Sequence, residues 1–429
     1  MKIYNINNLT KQNIDQLCSR SISDDNLVKS RTTEIIDTVK NEGDSALFNY
    51  AKQFDHISLP TLFIAKDELA EIANQIPAEA KAAIDVAYEN IYKFHQAQVK
   101  TEAKVETMPG VVCWRENRGI ERVGLYIPGG TAVLPSTFLM LGIPAKIAGC
   151  NEIIVCSPPQ ATGKVNCYIA YVATLLQIEK IYLVGGAQAV AAMAFGTETV
   201  PQVYKIFGPG NRYVTEAKKQ VQNRVAIDMP AGPSEVLVLA DETANPSYIA
   251  ADLLAQAEHG IDSQSVLVVT SNKTAHSVIS EIEAQLLVLP RKDIAAAAIK
   301  NSFIVVVNDL NEGMNFSNKY APEHLIIASD KYESLIPLII NAGSVFLGNL
   351  TPESVGDYAS GTNHTLPTSG FAKAYSGVSV DTFIKKITFQ HLTANGLQNI
   401  GSTVETLATL EGLQAHKNAV SIRLKYLKN

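Results

Sequence analysis

Six short apolar runs, separated by stretches of helical character, constrain the fold of this 429-residue chain more than any other feature. Each run is apolar without the alternation of a half-exposed strand, so both faces of each strand should be buried. Such strands occur in parallel sheets covered by helices on both sides. The runs lie at residues 122–127, 152–156, 180–184, 235–240, 265–270 and 302–307.

The runs form two groups, with a break near Gly232-Pro233-Ser234. A chain of this length is too long for one ordinary core, so two sheets are expected. Residues 27–105 have largely helical character, and residues 407–427 form an amphipathic helical pattern in which Gly412 is the weak point. We therefore predict an α/β fold of two doubly wound, incomplete Rossmann-like parallel-sheet domains, with small helical extensions at the N- and C-termini.

Composition excludes several classes of function. A formal net charge of -6, with dispersed lysines and arginines, offers no basic surface for nucleic acid. No apolar run approaches the roughly 18 residues that span a bilayer, and residues 1–8 lack the apolar core of a signal peptide. The five cysteines form no CxxC pair, which is typical of a reducing compartment. We expect a cytoplasmic enzyme without a nucleic-acid or membrane partner.

Three glycine-rich segments adjoin the predicted strands. Glycines after a strand allow the backbone to approach a phosphate, and a following helix offers free N–H donors. None of the segments has the G-x-G-x-x-G spacing of the dinucleotide fingerprint, and an ordinary turn would explain any one of them. Their concentration in one region favours a nucleotide site. The segments are residues 127–130 (IPGG), 184–189 (VGGAQA) and 207–211 (FGPGN).

Three polar segments carry the candidate chemistry. Gln256 and His259 lie three residues apart on one helical face, and Glu323 adjoins His324. Residues 352–364 (PESVGDYASGTNH) combine acid, base and glycines in what we predict to be a loop. Four of the eight histidines, at 259, 324, 364 and 416, lie in segments rich in Gly, Asp, Glu or Gln. This clustering favours an active site.

Simpler explanations exist for each residue alone. Gln256 and His259 could form a helix end that stops at Gly260. Asp357 could be an Asx-turn residue, and His416, on an apolar stripe, could be a core histidine. Glu323 and His324 would point to opposite faces of a regular strand, so a shared site requires irregular backbone, which Pro322 makes plausible.

The chain from Arg122 to Lys417 closely resembles the histidinol dehydrogenase family. The resemblance lies in long sequence motifs that occur in a fixed order. These are RVGLYIPGG, IAGC, VGGAQA, FGTE, KIFGPGN, AIDMPAGPSEVL, QAEHG, PEHL, AGSVFLG, PESVGDYASGTNH and AHKNAV.

The resemblance implies one zinc ion per subunit and a homodimer with a shared active site. The implied zinc ligands are Gln256, His259, Asp357 and His416, the last contributed by the partner subunit. Substrate contacts are implied for the same four residues and for Ser234, His324, Glu411 and His364. For NAD, the matching positions are Tyr126, Gln188 and Asn211.

The implied reaction is the final step of histidine biosynthesis, the oxidation of L-histidinol to L-histidine by two NAD through bound L-histidinal. His324 would accept the alcohol proton, and Glu323 would activate water to attack the aldehyde.

We also predict the division into domains. A discontinuous larger domain, residues 21–125 and 236–384, would carry the metal and substrate residues. Residues 126–235 would form an inserted NAD-binding domain. Residues 1–20 and 385–429 would be peripheral, the C-terminal tail reaching the partner.

Three alternatives remain open. A thiolate from Cys113 or Cys150 could form a thiohemiacetal, although both lie in apolar surroundings, where cysteines are usually inert. The chain could also be a zinc hydrolase in which Glu323 assists a metal-bound water, and NAD would then not bind. A non-catalytic binding protein is the third alternative, but such a protein has no need of Glu323 and His324 together.

Overall fold

A computed structural model describes residues 1–20, 26–129 and 133–428. The predicted domain boundary at residue 21 and Gly130 of the first glycine-rich segment lie outside the described residues. Among the described residues, no helix combines the length and apolarity needed to cross a bilayer.

Strands and helices alternate along most of the chain. The strands are β1 (Lys2–Asn5), β2 (Phe63–Ala65), β3 (Val105–Met108), β4 (Val111–Gly119), β5 (Arg122–Tyr126), β6 (Glu152–Cys156), β7 (Lys180–Tyr182), β8 (Lys205–Phe207), β9 (Ala226–Ile227), β10 (Glu235–Ala240), β11 (Gln264–Val269), β12 (Phe303–Val306), β13 (His324–Ala328), β14 (Ser344–Leu347) and β15 (Ile384–Leu392). The helices are α1 (Lys11–Cys18), α2 (Asn26–Glu42), α3 (Asp44–Phe54), α4 (Lys66–Ala73), α5 (Ala78–Gln96), α6 (Pro135–Ile147), α7 (Cys167–Leu175), α8 (Gly186–Phe195), α9 (Arg212–Gln220), α10 (Pro246–Ala257), α11 (Asn272–Leu286), α12 (Lys292–Lys300), α13 (Leu310–Tyr320), α14 (Tyr332–Leu335), α15 (Glu353–Tyr358), α16 (Ala394–Leu410) and α17 (Gln414–Tyr426).

These strands form three sheets. Sheet A has the order β1-β12-β11-β10-β13-β14 and is entirely parallel. Sheet B has the order β2-β7-β6-β5-β8-β9 and is parallel except for the β2–β7 pair. Sheet C, of order β15-β4-β3, is a small antiparallel sheet. The two large parallel sheets confirm the predicted fold class, and each of the six apolar runs overlaps a strand.

Both large sheets reverse their strand order at one point. In sheet A the chain runs from β10 through β11 to β12 on one side and continues through β13 to β14 on the other. In sheet B, β5 lies between β6 and β8 in the same manner. Ligands of open α/β sheets bind preferentially outside the carboxyl ends of the strands beside such reversal points, although sites at the opposite edge also have to be considered. The predicted site residues therefore have to be located relative to β10/β13 and β5/β8.

The hydrophobic cores group the N-terminal helices with sheet B. Residues of α2 to α5, from Ile36 to Ile91, share one buried cluster with the strands and helices of sheet B, and α2 packs on α8 and α9. The predicted domain division, in which residues 21–125 accompany 236–384, stays a prediction. The apolar faces of these helices meet the helices that cover sheet B. The N-terminal strand β1 pairs with β12 at the edge of sheet A.

Two local predictions need correction. Residues 353–358, predicted to lie in a loop, form α15, so that Glu353 and Asp357 stand one helical turn apart. The helical tail is interrupted where Gly412 adopts a left-handed φ of 72°, which separates α16 from α17.

Candidate functional site

The candidate site lies at the amino ends of β10 and β13, beside the reversal point of sheet A. Glu235 begins β10 and His324 begins β13, and these strands are paired. Helix α10 connects two parallel strands and therefore runs back across the sheet, so its C-terminal turn returns to the amino edge. Gln256 lies on that turn, whereas His259, predicted to share its helical face, lies just beyond the C-cap residue Glu258 and outside the helix.

A group of potential metal ligands converges at this edge. The ligand atoms of His259, Glu353 and Asp357 all lie within 4.8 Å of one another. Glu353 is 1% exposed, and Gln256 is also 1% exposed. The hydrogen bonding of the site directs the Gln256 amide nitrogen to Glu353, with Nε2 2.6 Å from Oε1. This orientation leaves the Gln256 amide oxygen available to another partner.

Glu323 and His324 face the same site because the backbone before β13 is irregular. Ala321 ends α13 in the left-handed conformation at φ 53°, and Pro322 and Glu323 precede the strand. Glu323 Oε2 then lies 3.9 Å from His324 Nδ1. A side chain at Gly343 would not fit here, since its Cβ would stand 2.6 Å from the Glu323 carbonyl oxygen. The two adjacent side chains can thus act on one ligand.

The Glu323–His324 pair is held by the start of β10. The Glu235 backbone N–H donates to Glu323 Oε2 at 2.8 Å, and the Glu235 carbonyl oxygen lies 3.3 Å from His324 Nδ1. His324 Nε2 points to Asp357 Oδ1 at 3.4 Å. Within the described parts of the chain, His324 Nε2 and Asp357 Oδ1 are buried and have no hydrogen-bond partner. Buried polar atoms without partners are uncommon, so both atoms indicate a ligand position.

The carboxylates control the protonation of this site. Burial alone would lower the pKa of His324, but the carboxylates of Glu353, Glu323 and Asp357 outweigh it and raise that pKa to about 10. Burial raises the pKa of Glu323 to about 8 and raises the pKa of Glu353 as well. The concentration of carboxylates in a buried edge favours a bound cation.

His364 connects this site to sheet B. Its Nδ1 lies 2.9 Å from the Asp357 carbonyl oxygen, and its Nε2 lies 2.9 Å from Thr137 Oγ1 in the first turn of α6. Burial lowers the pKa of His364, which favours a neutral ring. Because α6 follows β5, the metal-ligand group stands close to the carboxyl edge of sheet B.

The described residues of the three glycine-rich segments lie at that carboxyl edge, after β5, β7 and β8. Tyr126, the last residue of β5, is buried, and its hydroxyl accepts a hydrogen bond from the Gly186 N–H at 3.2 Å. A Cβ at Gly208, where φ is 122°, would come 2.1 Å from the Tyr126 carbonyl oxygen. Only glycine therefore permits this close approach.

Gln188 and Asn211 lie at the starts of the two helices that follow these loops. Gln188 is buried in the first turn of α8. Asn211 caps α9, its side chain accepting from the N–H groups of Tyr213 and Val214 at 3.0 and 3.2 Å. Helix N-termini at the reversal point of a parallel sheet are suited to an anionic nucleotide.

The remaining predicted residues divide into two groups. Ser234 directly precedes β10, next to Glu235 and therefore beside the cluster. Glu411 and His416 are exposed, on the α16–α17 hairpin, and His416 is not among the described residues that form the cluster. This protomer alone does not bring His416 to the other predicted ligands.

Sequence reasoning gave no role to Glu353, which the structure places at the centre of the site. The available signal was its position four residues before Asp357, which puts two carboxylates on one helical face.

The cysteine thiols considered for the rival mechanism have a different environment. Burial raises the pKa of Cys150 to about 11, which disfavours the thiolate that the rival mechanism requires.

Comparisons with known proteins agree with this arrangement. A family model described as histidinol dehydrogenase matches residues 18–424. The chain is 56% identical to the histidinol dehydrogenase of Bacteroides thetaiotaomicron, over 92% of each chain. It is 52% identical to the chloroplastic histidinol dehydrogenase of Arabidopsis thaliana, over 99% of this chain and 92% of the relative. The crystal structure of histidinol dehydrogenase from Elizabethkingia anophelis superimposes with a TM-score of 0.96 at 50% identity, covering 100% of this chain and 99% of that one.

Proposed function

Because the chain belongs to the histidinol dehydrogenase family, and is thus an oxidoreductase of histidine biosynthesis, we propose that it oxidises L-histidinol to L-histidine with zinc and two NAD. The observation that carries the proposal is the convergence of nitrogen and carboxylate ligands beside the Glu323–His324 pair. This site faces, through His364 and Thr137, the carboxyl edge of a second parallel sheet. A metal-ligand site and a nucleotide site thus adjoin each other.

The residues present fit a zinc ion. Imidazole nitrogen and carboxylate oxygen are common zinc ligands, and Asp357 Oδ1, among the described atoms, is buried without a hydrogen-bond partner. We propose that Gln256, His259, Asp357 and His416 of the partner subunit hold one zinc ion per subunit. Bound there, zinc would orient the imidazole and amine nitrogens of the substrate and offset the negative charge of the site.

His324 is proposed as the proton acceptor in both oxidations. Its position between Glu323 and Asp357 places a ring nitrogen at the centre of the site. Proton transfer requires a neutral imidazole, whereas the surrounding carboxylates raise the pKa of His324 to about 10. Neutral His324 is therefore favoured only when a cation offsets these carboxylates, so the base and the metal ligands depend on each other.

Glu323 is proposed to activate the water that attacks the aldehyde. Burial raises the pKa of this carboxyl to about 8, which makes it a stronger base than an exposed glutamate. Its Oε2 is held by the Glu235 N–H at 2.8 Å. Ser234, which precedes β10, and His364, which contacts the Asp357 carbonyl oxygen, are proposed to contact the substrate, as are Gln256, His259 and Asp357.

NAD is proposed to bind at the carboxyl edge of sheet B, with contacts from Tyr126, Gln188 and Asn211. The close backbone packing at Gly208 and the exposed cap at Asn211 support this position. Thr137 and His364 lie between this edge and the metal-ligand group, and bound NAD would supply the hydride acceptor.

A homodimer is proposed because the cluster takes no ligand from α17 of its own subunit. The α16–α17 hairpin exposes Leu407, Leu410 and Leu413, at 54%, 78% and 43%, near Glu411 and His416. Exposed apolar residues of this kind are typical of interaction surfaces. We propose that this hairpin brings Glu411 and His416 to the partner's site.

The free state of all five cysteines fits the reducing environment of a cytoplasmic enzyme.

The test measures NADH formed per L-histidinol consumed, before and after chelation and after zinc is added back. We expect two NADH per substrate, loss on chelation and recovery with zinc, and no recovery for Asp357→Asn. One NADH would mean that the aldehyde leaves the site and that the role of Glu323 is wrong. No NADH from zinc-loaded protein would contradict the dehydrogenase and favour the hydrolase alternative.

A further inference from the structure

A buried ion pair lies directly behind the Glu323–His324 pair. Arg20 Nε donates to Glu235 Oε1 at 2.8 Å, and Arg20 Nη2 donates to Glu235 Oε2 at 2.7 Å. The two side chains are 10% and 3% exposed. Arg20 comes from the segment after α1, more than two hundred residues from Glu235 in sequence. This two-point geometry fixes both the distance and the orientation of the partners.

The remaining N–H groups of Arg20 bind the chain that leads into Glu323. Nη1 donates to the carbonyl oxygens of Cys18 and Tyr320, and Nη2 donates to that of Ala321 at 3.3 Å. The guanidinium carbon also lies 3.6 Å from the centre of the Tyr320 ring. Arg20 thus caps the end of α13 and holds the left-handed residue that turns the backbone toward Glu323.

Glu235 connects this ion pair to both reacting side chains. Its N–H holds the Glu323 carboxylate and its carbonyl oxygen lies beside His324 Nδ1, at 2.8 and 3.3 Å. Its Oε1 also accepts from the Ser369 N–H at 3.0 Å. Arg20 therefore reaches Glu323 and His324 by two routes, through the Glu235 backbone and through the turn at Ala321, without contact with either side chain.

Stability alone does not require this pair. A buried ion pair can usually be replaced by apolar side chains of similar volume without loss of stability, because desolvation offsets the attraction of the charges. A guanidinium with all five donors satisfied holds its partners in one arrangement, which an apolar pair would not do. Reacting groups need such positioning, since a displacement of about 1 Å can cost on the order of 100-fold in rate.

We propose that Arg20 and Glu235 are positioning residues for Glu323 and His324, a role that rests on the proposed function of those two residues. The pair sets the approach of β10 and of the turn before β13, and hence where the two side chains stand relative to the substrate. The segment that precedes α2 thereby contributes to the active site of a distant sheet.

The test compares Arg20→Lys and Glu235→Gln with wild type, using histidinol and histidinal as separate substrates. Lysine keeps the charge but has three donors and no planar fork. We expect kcat to fall about 10- to 100-fold for both substrates, with unchanged zinc content and unchanged KM for NAD. A kcat within twofold of wild type in both variants would overturn the proposal.

Arg122→Lys is the structural control, at an ion pair of the same geometry whose side chains are more exposed, at 31% and 45%. Arg122 forms the same two-point pair with Glu152, at 2.8 and 2.7 Å, and its Nη1 donates to the Gln202 carbonyl oxygen at 3.1 Å. This pair lies at the amino ends of β5 and β6, away from the loops proposed for NAD. We expect its kcat to remain that of wild type. An equal loss of kcat in Arg122→Lys would mean that Arg20 acts only through general stability.

A double-variant cycle separates positioning from folding. Because Arg20 acts partly through Glu323, Arg20→Lys should lower histidinal oxidation less in a Glu323→Gln background than in wild type, and the remaining loss is the part that acts through His324. Fully multiplicative losses would contradict the proposal. If Arg20→Lys does not fold, the same cycle with Glu235→Gln decides the matter. Failure of the proposed function is distinguished because wild type itself would then form no NADH.

Discussion

At the scale of single residues, the site depends on one irregular turn. Adjacent residues of a strand face opposite sides, yet Glu323 and His324 share a site because Glu323 precedes the first residue of β13. The left-handed Ala321 reorients the chain just before this point. Two different chemical roles can then follow from two neighbouring positions.

Replacing Glu323 by Gln separates those roles. We expect Glu323→Gln to oxidise histidinal at least 100-fold more slowly, because a neutral amide cannot accept a proton from water. Oxidation of histidinol to the aldehyde should change less than 10-fold, since His324 still accepts the alcohol proton. Stopped-flow measurement of the first and second NADH per site checks this prediction.

The exposed Glu333→Gln variant on α14 is the control and should keep both rates. Equal losses in the two half-reactions of Glu323→Gln would remove the water-activating role from this residue.

At the scale of elements, α5 supports the segment that carries His364. Asn90 Nδ2 donates to the Ala359 carbonyl oxygen at 2.9 Å. His95, fully buried, has Nδ1 2.8 Å from the Ile91 carbonyl oxygen and Nε2 3.4 Å from Asn363 Nδ2. With Nδ1 as the donor, Nε2 can accept from the amide, so both contacts require a neutral ring. A helix packed against sheet B thus holds a segment that belongs to the sheet A site.

This neutral histidine predicts a dependence of stability on pH. Burial lowers the pKa of His95, although its contact with Ile91 opposes the shift. The unfolded chain therefore binds a proton at a higher pH than the folded one, so the contribution is complete above about pH 6.5 and is lost as pH falls. Urea denaturation of wild type and His95→Gln between pH 7.5 and 5.5 measures it.

As the pH is lowered, the free energy of unfolding of wild type should fall more steeply than that of His95→Gln. The two slopes should differ by at most about 1.4 kcal/mol per pH unit. The exposed His276→Gln should follow wild type and serves as the control. Parallel pH profiles for wild type and His95→Gln would exclude this role for His95.

At the scale of the whole molecule, the site is an assembly of distant parts. The amino edge of sheet A supplies Glu323 and His324, α10 and α15 supply the ligand cluster, and His364 reaches α6 on sheet B. His416 remains on an exposed hairpin of the same subunit. The proposed set of zinc ligands is completed only by His416 of a second subunit, and this proposal leads to a prediction about mixed dimers.

Two inactive variants should restore activity to each other. His259→Asn damages the site of its own subunit, whereas His416→Asn damages the site of its partner. A mixed dimer then contains one intact site, and random reassortment should recover about a quarter of wild-type activity. Each variant alone should bind zinc much more weakly. Activity and zinc content after refolding of a 1:1 mixture provide the measurement.

A mixture of His259→Asn and Asp357→Asn is the control, because both substitutions affect ligands of the same subunit and no intact site can form. Absence of recovery in the first mixture, despite dimer formation, would place His416 outside the shared site.

Much of the fold could be predicted because it depends on neighbouring residues. An unbroken apolar run such as 235–240 must be buried on both sides, and this requirement alone indicates a strand of a parallel sheet. The helix that carries Gln256 and the glycine-rich turn at Gly208 are likewise local properties, whereas His259, predicted to share the helical face of Gln256, lies beyond the end of α10. These patterns, together with the sequence motifs that resemble the family, were sufficient to predict the fold class and the enzyme family.

Only the tertiary structure decided which distant residues meet. Glu353 became part of the ligand cluster through the packing of α15 near α10, and Arg20 reached Glu235 across the chain. The association of α2 to α5 with sheet B was decided in the same way. Local sequence determines which face of an element is apolar, but many faces are apolar, and the choice among partners depends on shape and charge complementarity summed over the whole core.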